Sequence, residues 1–245
     1  MNNKFKIPAT PLAERIRPQT IIDFFGQQHL LGLGKPIRLM IENDTPSSFI
    51  LWGPPGTGKT TIARIIANQT KAEFFQINAV SSGVKDIRAV IDIGTRNKEL
   101  GKRTILFIDE IHRFNKAQQD ALLHSIESGV LILIGATTEN PSFEVIPALR
   151  SRARVFVLEE LSKQDLVDIL KSAIGKDDYL KQLNIKSVDE NYLIYLSGGD
   201  ARIMLTILEA AAIQEMDKDE IVLTKEIFEN IVQRKNILYD KGGEE

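Results

Sequence analysis

Cysteine is absent from all 245 residues, so neither a disulfide framework nor a cysteine-ligated zinc site can stabilise this chain. The three histidines, His29, His112 and His124, do not fall at metal-ligand spacing either. Aromatic residues make up only 7%, with one tryptophan, and they do not interleave with basic residues, so no platform for stacking bases is evident. Charge is nearly balanced at -2, which gives the chain no overall attraction to polyanions but leaves room for a local basic patch. No apolar run approaches the roughly 18 residues of a membrane helix, and Met1 to Ala9 carries charges where a signal peptide would be apolar. These absences point to a cytoplasmic protein with no membrane partner. What is present, 43% hydrophobic and 26% charged residues, suits one large globular domain or two modest ones.

Short apolar runs alternate with segments of helical period in the first two thirds of the chain. Phe49 to Trp52, Glu73 to Ile77, Thr104 to Ile108, Leu131 to Ile134 and Arg154 to Leu158 read as strands by length and β-branching. Thr61 to Gln69 reads as a helix, with Ile62, Ile65 and Ile66 on one face. Apolar strands separated by helices predict an α/β domain whose parallel sheet is covered on both faces. Beyond about residue 160 the pattern changes. Ser162 with Asp165 and Ser187 with Glu190 read as capping boxes, Asp200 and Thr224 as further N-caps, and no run there is convincingly a strand. The predicted organisation is an α/β domain over 1–160, a small all-α domain over 161–237, and the start of a linker over 238–245.

One motif carries specific chemistry. Gly53, Pro54, Pro55, Gly56, Thr57, Gly58, Lys59, Thr60 and Thr61 follow an apolar strand and open a periodic helix, which is the context a phosphate-binding loop requires. Its glycines let successive N–H groups turn toward phosphates at the positive end of the helix. Lys59 would reach the β- and γ-phosphates of ATP, and the Thr60 hydroxyl would ligate Mg²⁺. A second motif follows at Ile105 to Glu110, a buried strand ending in two acids. Carboxylates there must lie at the sheet's carboxyl edge, on the side of the loop. Asp109 suits a hold on Mg²⁺ and Glu110 suits polarising an attacking water. His112, just beyond, reads as structural because Glu110 already fills the acid–base role, and Trp52 reads as core.

The pairing of GPPGTGKT with ILFIDEIHRF resembles the AAA+ ATPases of the clamp-loader-like branch. The stretches PLAERIRPQTIIDFFGQQHLLG, IGATTENPSFEVIPALRSRARVF, SGGDAR and YDKGGEE resemble the replication-associated recombination protein A family, bacterial relatives of Werner helicase-interacting protein. The resemblance implies a P-loop AAA+ sheet followed by a helical lid. It also implies a DNA-dependent ATPase of replication-linked recombination and repair, acting at stalled forks or single-strand gaps beside replication and repair proteins. Leu12, Ala13, Arg17, Pro18, Gly26 and Gln27 are similar to the family's adenine-binding strap. Thr138 resembles the sensor that orients the water or reads the γ-phosphate. Arg152 resembles the finger that acts on a neighbouring subunit's ATP, and Arg202 the second sensor, at the start of a lid helix. Asn78 resembles the switch that restrains Glu110. Members of the family look longer than this chain, which implies a homo-oligomer, a tetramer, for a full-length form and a monomer for this stretch alone.

Lys85, Arg88, Arg96, Lys98, Lys102 and Arg103 outnumber Asp86, Asp92 and Glu99 and form a modest basic run. Such a run can meet DNA phosphates or be a solvated helix face, and the residues alone leave both open. Two other functions stay open: a clamp-loader or branch-migration motor, and a nucleotide-binding scaffold that never hydrolyses.

Overall fold

The five apolar runs do form strands, each within a few residues of its expected limits. They are β1 (Phe49–Trp52), β2 (Glu73–Asn78), β3 (Thr104–Asp109), β4 (Ile132–Thr137) and β5 (Arg154–Val157). The structure, a computed structural model, describes residues 6–241. The strands make one parallel sheet in the order β2-β3-β4-β1-β5. Side-chain alternation explains why these runs must be strands. Phe49, Leu51, Ile105 and Phe107 point to one face and pack with Ile62, Ile65 and Ile66 of the helix Lys59–Gln69. Ile50, Leu106 and Ile108 point to the other and pack with Ile87, Val90 and Leu122 of the helices Val84–Glu99 and Lys116–Glu127. A sheet apolar on both faces requires helices on both, which is what the connections supply.

Chain order and spatial order differ at one place. β1 lies between β4 and β5, so the connection after β1 passes over two strands and the order reverses around it. In an open parallel sheet the crevice beyond the strand ends at such a reversal is the natural ligand site.

The second unit is helical, built from Lys163–Lys176, Glu190–Ser197, Ala201–Gln214 and Lys225–Lys241 around a core that includes Leu166, Leu170, Leu193, Met204, Leu208 and Phe228. Ser162 and Asp165 form the expected reciprocal capping box and Asp200 caps the helix that follows it, whereas Glu190–Ser197 is capped by Asp189 and not by the expected Ser187, which lies in the strand Ile185–Val188. Two differences from the expected plan have physical causes. First, Ile185–Val188 and Ile221–Leu223 pair as a short parallel ribbon, β6 and β7, inside a unit expected to be wholly α. Runs of three and four residues are too short to declare a period of two. Second, residues 6–17 belong with the helical unit that resumes at Leu161, not with the α/β unit of 18–160. Leu12 is fully buried in the helical core, and its N–H donates to Glu209 Oε2 at 2.9 Å. The Arg15 guanidinium donates twice to the Asp177 carboxylate, at 2.7 and 2.9 Å, and once to Glu209, at 2.5 Å. At the other end, residues 238–241, expected to begin a linker, continue the helix Lys225–Lys241, and 242–245 lie outside the described residues.

Candidate functional site

The loop after β1 is shaped by three of its residues. Gly53 is buried, and a Cβ there would sit 2.5 Å from the carbonyl oxygen of Leu158, so only glycine lets β1 leave the sheet at this point. Gly58 has φ +98, and a Cβ there would meet the Phe24 ring at 2.5 Å. Thr57 is buried, and its hydroxyl donates to the carbonyl of Pro54 at 2.8 Å, closing the loop on itself. Lys59 begins the following helix and is 8% exposed. Its ammonium donates to the carbonyl oxygens of Gly53 and Pro54, both at 2.7 Å, so the charge is held at the centre of the loop. Thr60 follows half-buried, and Thr61 is buried.

The acids reach the same edge from β3, with β4 between them and β1. Asp109 is the last residue of β3 and half-buried. Glu110 has φ 56 and ψ 44, the left-handed region that a side chain other than glycine rarely adopts. That turn takes Glu110 off the strand axis and starts the 3₁₀ turn Ile111–Arg113. Strain of this kind, about 1–3 kcal/mol, persists where the surroundings impose it. Here Ile111 is fully buried and packs over Gly135, where a Cβ would approach it to 3.0 Å.

Thr137, the last residue of β4, is fully buried, and the Gly53 N–H donates to its carbonyl at 3.2 Å. Thr138, next in the chain, is exposed. The Trp52 indole N–H donates to the Thr138 carbonyl at 3.3 Å, so Trp52, expected in the core, is only half-buried and braces this loop. The three strand ends thus bring together, within the α/β unit, the loop from Gly53 to Thr60, Asp109 with Glu110, and Thr138.

Asn78 pairs with Asp109 in the sheet register, but it is exposed and its Oδ1 accepts from the Val80 N–H at 2.9 Å. Glu110 has a different partner: its Oε2 lies 3.3 Å from His112 Nδ1. Sequence reasoning set His112 aside. The signal that would have found it is the two-residue spacing to Glu110 across a turn. Arg152 is exposed and held by Glu127, whose carboxylate accepts from its Nε at 2.5 Å. Neighbouring Arg150 is half-buried, with its Nε unpaired. Arg202 is exposed near the start of Ala201–Gln214, its N–H donating to the Asp200 carboxylate at 2.7 Å.

The segment similar to an adenine strap divides between the units. Leu12, Ala13 and Arg17 fall in the helical unit and Pro18, Gly26 and Gln27 in the α/β unit. Gln27 is buried and its amide makes a reciprocal pair with the Glu159 backbone, donating at 2.8 Å and accepting at 3.0 Å. Half of the basic run is engaged by the protein: Arg103 pairs with Asp44, Lys98 donates to the Ser128 carbonyl at 2.6 Å, and Arg96 to the Asp92 carbonyl at 3.4 Å. Among the described residues no group of histidines and acids is arranged as a metal cluster, and no helix is long and apolar enough to cross a membrane.

Residues 49–161 match the ATPase family associated with various cellular activities (AAA), and 179–245 match its AAA C-terminal domain. Replication-associated recombination protein A of Escherichia coli (strain K12) is 45% identical over 244 residues, covering 96% of this chain and 54% of the relative. ATPase WRNIP1 of Dictyostelium discoideum is 42% identical over 265 residues, covering 30% of its length. Among solved structures, the Thermotoga maritima RuvB Holliday junction branch migration motor superposes with a TM-score of 0.71 at 25% identity, over 89% of this chain and 72% of that one. The chain spans about half the length of the bacterial relatives it matches. On these matches, and on a parallel sheet whose strand ends gather the loop and the acids, the chain belongs to the AAA ATPases, in the group of replication-associated recombination protein A and ATPase WRNIP1.

Proposed function

We propose that this chain binds Mg²⁺-ATP at the Gly53–Thr60 loop and hydrolyses it, as the motor part of a DNA-dependent ATPase of replication-linked recombination and repair. The observation that carries the reading is the convergence at one sheet edge of the loop from β1, the acids from β3 and the threonines from β4. The donor set fits the ligand. The loop closes around a buried ammonium, and Thr60 and Asp109 offer the hard oxygen atoms that Mg²⁺ prefers. When bound, the metal neutralises charge developing on the phosphates.

The protein's own groups account for the remaining steps. A γ-phosphate offers Lys59 a charged acceptor, and charge-assisted hydrogen bonds are roughly twice as strong as neutral ones. Glu110 polarises the attacking water, and Thr138, exposed at the end of β4, orients it or reads the γ-phosphate. Arg152 completes the site of a neighbouring subunit after leaving Glu127, and Arg202 couples nucleotide state to the helical unit. Asn78 and the strap residues Leu12, Ala13, Arg17, Pro18, Gly26 and Gln27 belong to the same reading on resemblance. Cytoplasmic, nucleoid-associated DNA with single-stranded gaps or forks is the expected partner, with a homo-oligomer as the working form.

Steady-state turnover with and without single-stranded or gapped DNA tests this. Lys59→Ala and Glu110→Gln should each lower turnover by about a hundredfold or more, and unchanged turnover in either would overturn its assignment. The structural likeness to a branch-migration motor favours a second reading, in which the DNA is a four-way junction. ATP-driven movement of a synthetic junction, absent on gapped DNA, would select it.

A further inference from the structure

Three strand ends meet through polar contacts that run by way of a residue with no assigned role. The Gly53 N–H of the loop donates to the Thr137 carbonyl at 3.2 Å. The Thr137 Oγ1 lies 2.9 Å from His112 Nδ1, and the same nitrogen lies 3.3 Å from Glu110 Oε2. The His112 side chain is 8% exposed, so its imidazole is fixed among these partners and is not a surface group that happens to touch them.

The direction of each hydrogen follows from the partners. The Thr137 hydroxyl donates to the Glu139 carbonyl at 3.2 Å and its oxygen accepts the Glu139 N–H at 3.0 Å. With its hydrogen committed to Glu139, Thr137 presents a lone pair to His112. A Glu110 carboxylate is also an acceptor only. A proton on Nδ1 suits both neighbours, donated to the threonine oxygen at 2.9 Å with the carboxylate beside it at 3.3 Å; a bare nitrogen would set lone pairs against both. The backbone supports this placement. Burial of Ile111 against Gly135 and the left-handed turn at Glu110 together bring His112 over the end of β4. Asn78, the residue that resemblance would pair with Glu110, turns its Oδ1 onto its own loop instead.

We infer that His112 is the positioning residue of the site: its Nδ1–H holds the Glu110 carboxylate in register with Thr137, and through Thr137 with the phosphate loop and with Thr138. The inference rests on Glu110 polarising the attacking water. His112 acts through its two partners, Thr137 Oγ1 and Glu110 Oε2, so its loss should change the orientation of Glu110 and leave ATP binding intact. Misplacing a reacting group by an ångström costs about 10²-fold in rate.

The test compares His112→Ala, His112→Asn and Thr137→Val with the parent chain, measuring kcat, KM for ATP and melting temperature. His112→Ala should lower kcat by about 10–100-fold with KM within about threefold, because orientation alone is lost. His112→Asn, whose amide N–H can stand where Nδ1–H stands, should recover most of kcat. Thr137→Val should fall between them. In Glu110→Gln, removing His112 should cost nothing more, since coupled residues are not additive. A spectroscopic arm needs no turnover. With only three histidines in the chain, ¹⁵N-histidine spectra should show His112 protonated at Nδ1, and its signal should move in Glu110→Gln and in Thr137→Val. A wild-type kcat in His112→Ala, or a His112 bare at Nδ1 and indifferent to Glu110→Gln, would overturn the inference. Unchanged turnover in Glu110→Gln would instead overturn the hydrolytic reading on which it rests.

Discussion

At the scale of single residues, the site separates binding from hydrolysis. Lys59 sits inside the loop, and Glu110 stands on a different strand. Glu110→Gln should therefore keep ATP affinity while lowering turnover by about 10²–10⁴-fold, the usual contribution of a positioned general base. Isothermal titration beside a turnover assay checks both halves. Lys59→Ala should lose affinity as well, and with it the stabilisation that bound ATP confers, about 2.7 kcal/mol at a hundredfold excess over Kd, read as a rise in melting temperature. Arg152 poses a different question, because Glu127 already holds it within its own chain. Mixing Arg152→Ala with Glu110→Gln subunits should partly restore activity, since one mixed interface in two contains an intact finger and an intact base. Absence of restoration in a mixture shown to be oligomeric would remove Arg152 from the trans role. The two acids and the lysine were legible from their neighbours in the chain. His112 was not, because a two-residue spacing to Glu110 is also ordinary turn chemistry and its other partner, Thr137, lies on another strand.

Among the elements, β1 and its loop are the most tightly specified. Gly53 meets a backbone carbonyl, which cannot step aside as a flexible side chain could. Gly53→Ala should destabilise the α/β unit by about 1–3 kcal/mol, the range for overpacking, and shift the loop as well. Chemical denaturation gives the first number and nucleotide affinity the second. The helix Lys163–Lys176 depends instead on its cap: the Ser162 hydroxyl accepts from Asp165 N–H at 3.1 Å. Ser162→Ala should cost about 1 kcal/mol, leave nucleotide binding unchanged, and register in the melting of the helical unit. The strands of the main sheet were legible because each is an apolar run bounded by turn residues. β6 and β7 were not, because Lys186, Ser187 and Val222 on so short a ribbon are exposed and break the pattern.

For the whole molecule, the segment ending at Arg17 ties the start of the chain to its helical unit. Asp177 is nearly enclosed, with its side chain 3% exposed. Burial raises its pKa, but the Arg15 guanidinium and the Leu180 N–H more than offset this and hold the carboxyl below its usual value. A carboxyl depressed in the folded state stabilises fully above its unfolded pKa, about 3.9. That stability is lost as pH falls through the lower folded value. Arg15→Ala should therefore cost about 3–5 kcal/mol at neutral pH, as expected for a buried pair broken on one side, and less in acid, where Asp177 takes up a proton. Asp177→Asn should flatten the same acid limb of a stability-against-pH curve. By itself, the order of residues determined the chemistry of the loop, the exit of two acids from a buried strand and the change from α/β to helical character, because each is written in neighbouring positions. The tertiary structure decided which strand ends lie side by side, that residues near the start close the helical core, and that His112 faces Glu110 and Thr137. Those depend on strand order and burial, which bring together side chains that local spacing leaves unrelated.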